Sequence, residues 1–501
     1  MSKSAWSVAL VAIAALALLL PAAAPAAKPP PKVGSLTQVG HDPILNRGMN
    51  AAMAIHGDYA YIGSRTDGGH EDMPMGGLMI EDISDPTDPE LLTDEPLFAA
   101  PGESSRELRV WRSQDVLIIL NTNCGVGDAL HHCTAPSISN FRFYDISGDN
   151  ATDPRLLNQF NVNTHEFYLW EDPNNPERAL IFAGNASPNP ACTTSGGSPS
   201  CQFSVWDISP VKNGQAPVTL YSGVHGYTRV PAAGPLEIPS GGLHSLAVSN
   251  DGTRAYFALL TGGFAVVDTS DFANGTPAPM PRPITLNENR PSWPGPGAHS
   301  AMKLWNKDWA YVSDEVYGTA TGAGHGCPWG WARMIDISDP TTPTVEAEYR
   351  LPENDPTDGE DCADWNPPRT SYSAHNPTIT PRMVLTTWHS GGFQVINVQK
   401  PWAPYQLAEF FPEPLDEVML EDPRLSSDPD TGRHEKVVMW SYPIIKDGLI
   451  YVVDLRNGLY VLEYGGRFRN EVRNVSFLEG NSNQGDALCY EPVGAAEADC
   501  D

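Results

Sequence analysis

A single phrase recurs in seven copies along the chain, and no other feature limits the fold as strongly. It reads "GGLMIEDISDPTDPELL" from Gly76, "NFRFYDISGDNATDPRLL" from Asn140, "QFSVWDISPVKNGQAPVTL" from Gln202 and "GGFAVVDTSDFANGTPAP" from Gly262. "WARMIDISDPTTPTVEAEY" from Trp331 and "GGFQVINVQKPWAPYQLAEF" from Gly391 continue the series, and "GLYVLEYGG" from Gly458 is a truncated last copy. Each opens with alternating apolar residues, the pattern of a half-buried strand. Each then breaks at Asp-x-Ser-Asp-Pro or a relative of it. Asp and Ser close such turns through their side chains, and Pro ends the ladder because it has no N–H to donate.

Upstream of each copy lies a second strand pair, as in "NAAMAIHGDYAYIGS" from Asn50, "HSLAVSNDGTRAYFALL" from His244 and "WSYPIIKDGLIYVVD" from Trp440. The turns "HGD", "NDG" and "KDG" join these pairs. A unit is therefore four strands, with a loop of variable length between the second and third. Seven such units and no amphipathic helix pattern predict an all-β, seven-bladed β-propeller. Copy seven lacks a fourth strand, and "GSLTQVGHDP" from Gly34 reads as the spare that pairs with it and closes the ring. Closure of this kind removes an exposed sheet edge. The propeller is expected over residues 34–465, with 466–501 as a C-terminal tail whose docking place the sequence does not indicate.

The repeats "GGLMIEDISDPTDPELL" and "GGFQVINVQKPWAPYQLAEF" resemble the LVIVD repeat, and "AHNPTITPRMVLTTWHSGGFQVINV" from Ala374 is similar to its exported bacterial members. The resemblance spans nearly all of the chain after its first segment and implies a propeller. It implies no particular function. Copy six replaces the turn Asp by Asn397, and copies two, three and four also depart from the consensus.

Residues 1–27 carry one early charge at Lys3, an apolar run from Ala5 to Leu20 and then small residues, the layout of a secretory signal. Residues 28–33, "KPPPKV", read as a stiff Pro-rich leader. A secreted, periplasmic or cell-surface location is expected, without a membrane-spanning segment. Acidic residues outnumber basic ones 61 to 31, and no Lys/Arg-rich stretch is present, so the footprint of a nucleic-acid binder is missing. Eight cysteines fall in near pairs, Cys124 with Cys133, Cys192 with Cys201 and Cys489 with Cys500, leaving Cys327 and Cys362. In an oxidising compartment these read as disulfides. Those between Cys124 and Cys362 would tie down long loops on one face, and Cys489 with Cys500 would staple the tail.

Aligning the units on their inner strands brings Asn50, Glu107, His165, His244, His299, His375 and Trp440 to one equivalent position. Four consecutive blades thus supply histidine where the inner strands reach the channel mouth. Neutral imidazole is the commonest metal ligand and suits Fe, Cu or Zn. His165, His244, His299 and His375 are the candidate metal ligands. Glu107, Asn50 and His389 are candidates for supporting or additional ligation. The bland alternative is a wet channel rim whose polar residues bind only water. By analogy alone, carotenoid-cleaving oxygenases and selenium-binding methanethiol oxidases also set histidines near a propeller axis. The chain has no extended match to either.

The loops "SRTDGGHEDMP" from Ser64 and "ENDPTDGEDCADW" from Glu353 are acidic enough for calcium but lack EF-hand spacing. No G-x-S-x-G, H-E-x-x-H or phosphate-cradling motif occurs. Two functions follow. One is a metal-dependent oxidoreductase or oxygenase acting on a small molecule. The other is a noncatalytic surface or envelope module that holds a protein or glycan on its loop-rich face.

Overall fold

The computed structural model describes residues 35–69, 76–93, 95–123, 133–135, 139–185, 193–195, 198–200, 202–227, 242–293, 297–315, 330–354, 372–422, 425 and 436–483. The expected signal and leader lie outside these residues, as do all the cysteines except Cys133, which is disulfide-bonded.

Among the described residues, beside a separate two-stranded sheet of Thr193–Ser195 with Ser198–Ser200, seven antiparallel sheets of four or five strands follow one another around a ring. Their first strands are Asn50–His56, Glu103–Trp111, Glu166–Glu171, Ser245–Val248, Ala298–Lys303, Pro377–Ile379 and Ile444–Lys446. These strands line the centre, and each later strand of a blade lies further out. Blade five shows the pattern in full, with Ala298–Lys303, Trp309–Asp314, Ala332–Asp336 and Thr344–Tyr349 hydrogen-bonded in that order. The two α-helices among the described residues, Ser270–Ala273 and Asn470–Arg473, are single turns.

The Asp-x-Ser phrase makes the same local structure in each blade that carries it. Asp82, Asp145, Asp207, Asp268 and Asp336 accept the backbone N–H two residues on, at 2.8 to 2.9 Å. In blade six Asn397 does the same with Gln399 at 2.8 Å, so the amide oxygen replaces the carboxylate without loss of the turn. Such side-chain-to-backbone bonds end a strand by offering the N–H an alternative to the ladder.

The spare strand closes the ring as the sequence predicts. Leu36–Asp42 pairs antiparallel with Gly458–Tyr464 as the outermost strand of blade seven. Apolar faces pack between neighbouring blades; between blades two and three Phe141 meets Phe167 and Trp206 edge-on at 5.1 and 5.8 Å. Burying side chains of this size is worth roughly 1.5–3 kcal/mol each.

Residues 466–483 are built into the propeller. Phe477–Glu479 adds a fifth strand to blade seven on the channel side of Ile444–Lys446. The chain then crosses to blade three, where the Leu169 N–H donates to the Asn481 carbonyl at 3.2 Å and Asn483 exchanges bonds with the Glu171 backbone at 2.6 and 2.9 Å. Gly480 is required there, because a Cβ would lie 2.2 Å from the Pro377 carbonyl oxygen. This crossing segment plugs the channel. A cleft lined by Tyr168, Tyr256, Met302, Trp305, Ile379 and Leu478 lies against the plug and contains none of the histidines.

Candidate metal centre

Four of the aligned histidines converge. Ring centroids are 4.4 Å apart for His165 and His244, 3.9 Å for His244 and His299, and 4.5 Å for His299 and His375. His389 continues the arc, 4.8 Å from His375. The strands place these residues by their own hydrogen bonds: the N–H groups of His165, His244 and His375 donate to Gly184, Ala258 and Thr387, the first ladder bonds of their blades. His299 arrives differently. Ala298 faces Asp314 and Ser300 faces Ser313, so His299 is the extra residue of a bulge, a device that re-aims a side chain.

Two glutamates that inner-strand alignment does not single out complete the cluster. Glu315 Oε2 lies 3.2 Å from His299 Nε2, and its Oε1 lies 3.3 Å from His375 Nε2 and 3.2 Å from His389 Nε2. Glu166 Oε1 lies 3.7 Å from His244 Nδ1 and 3.6 Å from His299 Nε2. Glu315 and His389 occupy equivalent places in neighbouring blades, two residues beyond the ladder partner of Ser300 or Asn376, and Leu260 holds that place in blade four. They form a second ring, one strand out from the first. His389 takes a left-handed backbone, φ 39°, and is held by reciprocal backbone bonds with Met439 at 3.2 Å. An uncommon conformation in a non-glycine residue is retained where the surroundings enforce it.

The imidazoles are oriented from behind. His375 Nδ1 donates to the Trp440 carbonyl at 2.7 Å, so its other nitrogen presents a lone pair to Glu315 when the ring is neutral. His299 Nδ1 lies 2.8 Å from Ser300 Oγ, whose proton goes to Asn376 Oδ1 at 3.2 Å. Trp440, the ring member from blade seven, packs 4.1 Å from His375 and stacks on His389 at 5.1 Å.

Burial pushes the His244 and His375 pKa values well below that of free imidazole, and it lowers His389 as well. His299 is the exception. Burial disfavours its cation, but Glu315 and then Glu166 outweigh that and raise its pKa. Burial raises the Glu315 carboxyl; the imidazoles around it, His299 first, outweigh this and hold it well below the usual carboxylate range.

The supporting candidates divide. Glu107 is held by Arg109 at 3.2 Å and is pushed up to about 8 by burial and the neighbouring Glu166, so it belongs to the cluster's edge. Asn50 is taken by Arg47, whose Nε donates to its Oδ1 at 2.7 Å. His225 lies apart among Tyr227 and Phe257. In the first acidic loop, Asp67 accepts the N–H groups of Gly102, Thr134, Ala135 and Gly69, a loop tie rather than a calcium ligand set. Among the described residues the donor atoms able to share an ion fall into three overlapping groups: His165, Glu166 and His244; His244, His299 and Glu315; Glu315, His375 and His389.

Residues 47–94 match the family model described as LVIVD repeat. No curated protein matches the sequence. A crystal structure of Sqt1 from Chaetomium thermophilum is similar at 14% identity and TM-score 0.43, covering 84% of this chain and 86% of that one. Another has the N-terminus of ribosomal protein L10 bound to Sqt1, with 14% identity, TM-score 0.41 and coverage of 84% and 89%. The β-propeller domain of Cps50 (Swd1) from Myceliophteria thermophila covers 86% of this chain and 98% of its own at 9% identity and TM-score 0.44. None of these likenesses bears on the histidines. The matched segment and the sheet topology together identify the chain as a seven-bladed β-propeller that carries an LVIVD repeat.

Proposed function

We propose that this propeller is an exported, metal-dependent oxidoreductase whose ion is held by the axial histidines and Glu315. One observation carries the reading. A neutral His375, its Nδ1 proton committed to Trp440, turns a lone pair toward an ionised carboxylate oxygen 3.3 Å away, both side chains being buried. Two acceptors facing each other in a buried place cost free energy, and a cation between them removes the cost. The donor set of imidazole and carboxylate suits first-row transition ions, iron, copper or zinc among them. Iron or copper would supply electron-transfer chemistry. The plug at Gly480–Asn483 supports entry of a small substrate from the loop-bearing face. The apolar run Ala5–Leu20 supports export.

Elemental analysis after export-compatible expression tests the reading. About one equivalent or more of iron or copper, lost in His299→Ala, is the expected result, and its spectrum should change on treatment with ascorbate and ferricyanide. Less than about a tenth of an equivalent of any transition metal would remove the metal and leave the noncatalytic binding module. Zinc alone, with no redox response, would remove the oxidoreductase.

A further inference from the structure

We infer that the centre holds two ions, an inference that rests on the metal reading above. Two of the three donor groups share no residue: His165, His244 and Glu166 on one side, and His375, His389 and Glu315 on the other. Each is a pair of imidazoles with one carboxylate, a set that binds a first-row ion and leaves it open positions. His299 stands between them, its Nε2 3.6 Å from Glu166 Oε1 and 3.2 Å from Glu315 Oε2. Glu315 divides its oxygens accordingly. Oε1 serves His375 and His389, while Oε2 faces His299.

A single ion does not account for this arrangement: at Glu315, His375 and His389 it would leave His165, Glu166 and His244 unused. The one group that straddles the centre, His244, His299 and Glu315, would use Oε2 of Glu315 and leave Oε1 against the lone pair of His375. It would also make no use of the His165 and Glu166 pair or of His389, whose backbone is held in an uncommon conformation. Two ions use every one of these donors, with Glu315 and His299 at the boundary between them. The ligand class is therefore a pair of first-row divalent cations, an arrangement suited to gripping one small oxygen-bearing substrate from both sides.

Stoichiometry decides between the two. Chelator-treated protein is titrated with zinc, dialysed and analysed for metal. Two equivalents per chain are expected, with one retained in His165→Ala and one in His389→Ala. One equivalent in the parent, unchanged in both variants, overturns the second ion and leaves the metal reading standing; zero overturns both. A measurement on the parent alone guards against misfolded variants. Loading with Cu(II) should give a half-field signal in electron paramagnetic resonance from two coupled ions, and an isolated-ion spectrum at saturation would overturn the inference.

Discussion

Blades three to six and blades seven, one and two offer the channel mouth different chemistry at the same structural position. The first set supplies His165, His244, His299 and His375, backed by Glu166 and Glu315. The second supplies Trp440, Asn50 and Glu107, and behind each stands a buried arginine. Arg65 lies over Trp440 at 4.1 Å, Arg47 donates to Asn50, and Arg109 pairs with Glu107. Equivalent backbone positions therefore do not make a uniform ring. The buried guanidinium groups on that side would disfavour a cation there relative to the histidine side. Arg109 also reaches Glu479 at 3.7 Å, and Asn481, with its amide oxygen toward Arg109 and its nitrogen 2.9 Å from the Tyr442 hydroxyl, ties the plug to the same side.

The arginine side should carry stability and the histidine side metal affinity. Arg109→Ala strands Glu107 and Glu479 and removes the partner of Asn481, so urea denaturation should show a loss of roughly 3–5 kcal/mol while any metal bound by folded protein is retained. Loss of metal from the folded variant would break the comparison. Glu315→Gln is the counterpart. It removes the carboxylate facing three imidazoles, and a loss of metal affinity of tenfold or more is expected from competition with a chromophoric chelator, with a smaller stability change of about 1–3 kcal/mol. Unchanged affinity would place the ion elsewhere.

The ring closure provides a contrast that involves neither side of the mouth. Burial and then the adjacent Asp42 carboxyl push Glu81 up to about 9. Because the folded pKa lies above the unfolded one, the folded state holds the extra proton. Its stabilising contribution is complete below about pH 4.5 and is lost as pH rises through about 9. Melting temperatures of the parent should fall across that window. Glu81→Gln should remove this part of the fall and be more stable than the parent at pH 9. The smallest effect is expected in a turn far from the channel. Asp145→Ala loses the bonds from the Ser147 N–H and hydroxyl, for about 0.5–1.5 kcal/mol. Asp145→Asn should cost less, since Asn397 makes the equivalent turn in blade six.

Much of the frame is legible in the sequence because it is local. Alternation along a strand and the Asp-x-Ser turn act between residues close in the chain, so their recurrence reveals strand count, blade count and the missing strand that Leu36–Asp42 supplies. The same alignment finds four cluster histidines, since equivalent positions in repeated units must converge on one axis. His389 is visible as a histidine of the loop-bearing face, but its rank beside His375 is not. Glu166 and Glu315 stay hidden for a physical reason. The chain has 61 acidic residues, and only the positions of blades three and five relative to blades four and six distinguish these two from the rest.

The sequence by itself therefore determined the propeller, its closure and the histidine side of the mouth, because each follows from a short-range pattern repeated around a ring. Tertiary structure alone decided which carboxylates face the imidazoles, which side carries arginine, and that Phe477–Asn483 returns to plug the channel. Those outcomes depend on distances between residues up to 312 positions apart, as between Glu171 and Asn483, and no local periodicity encodes them.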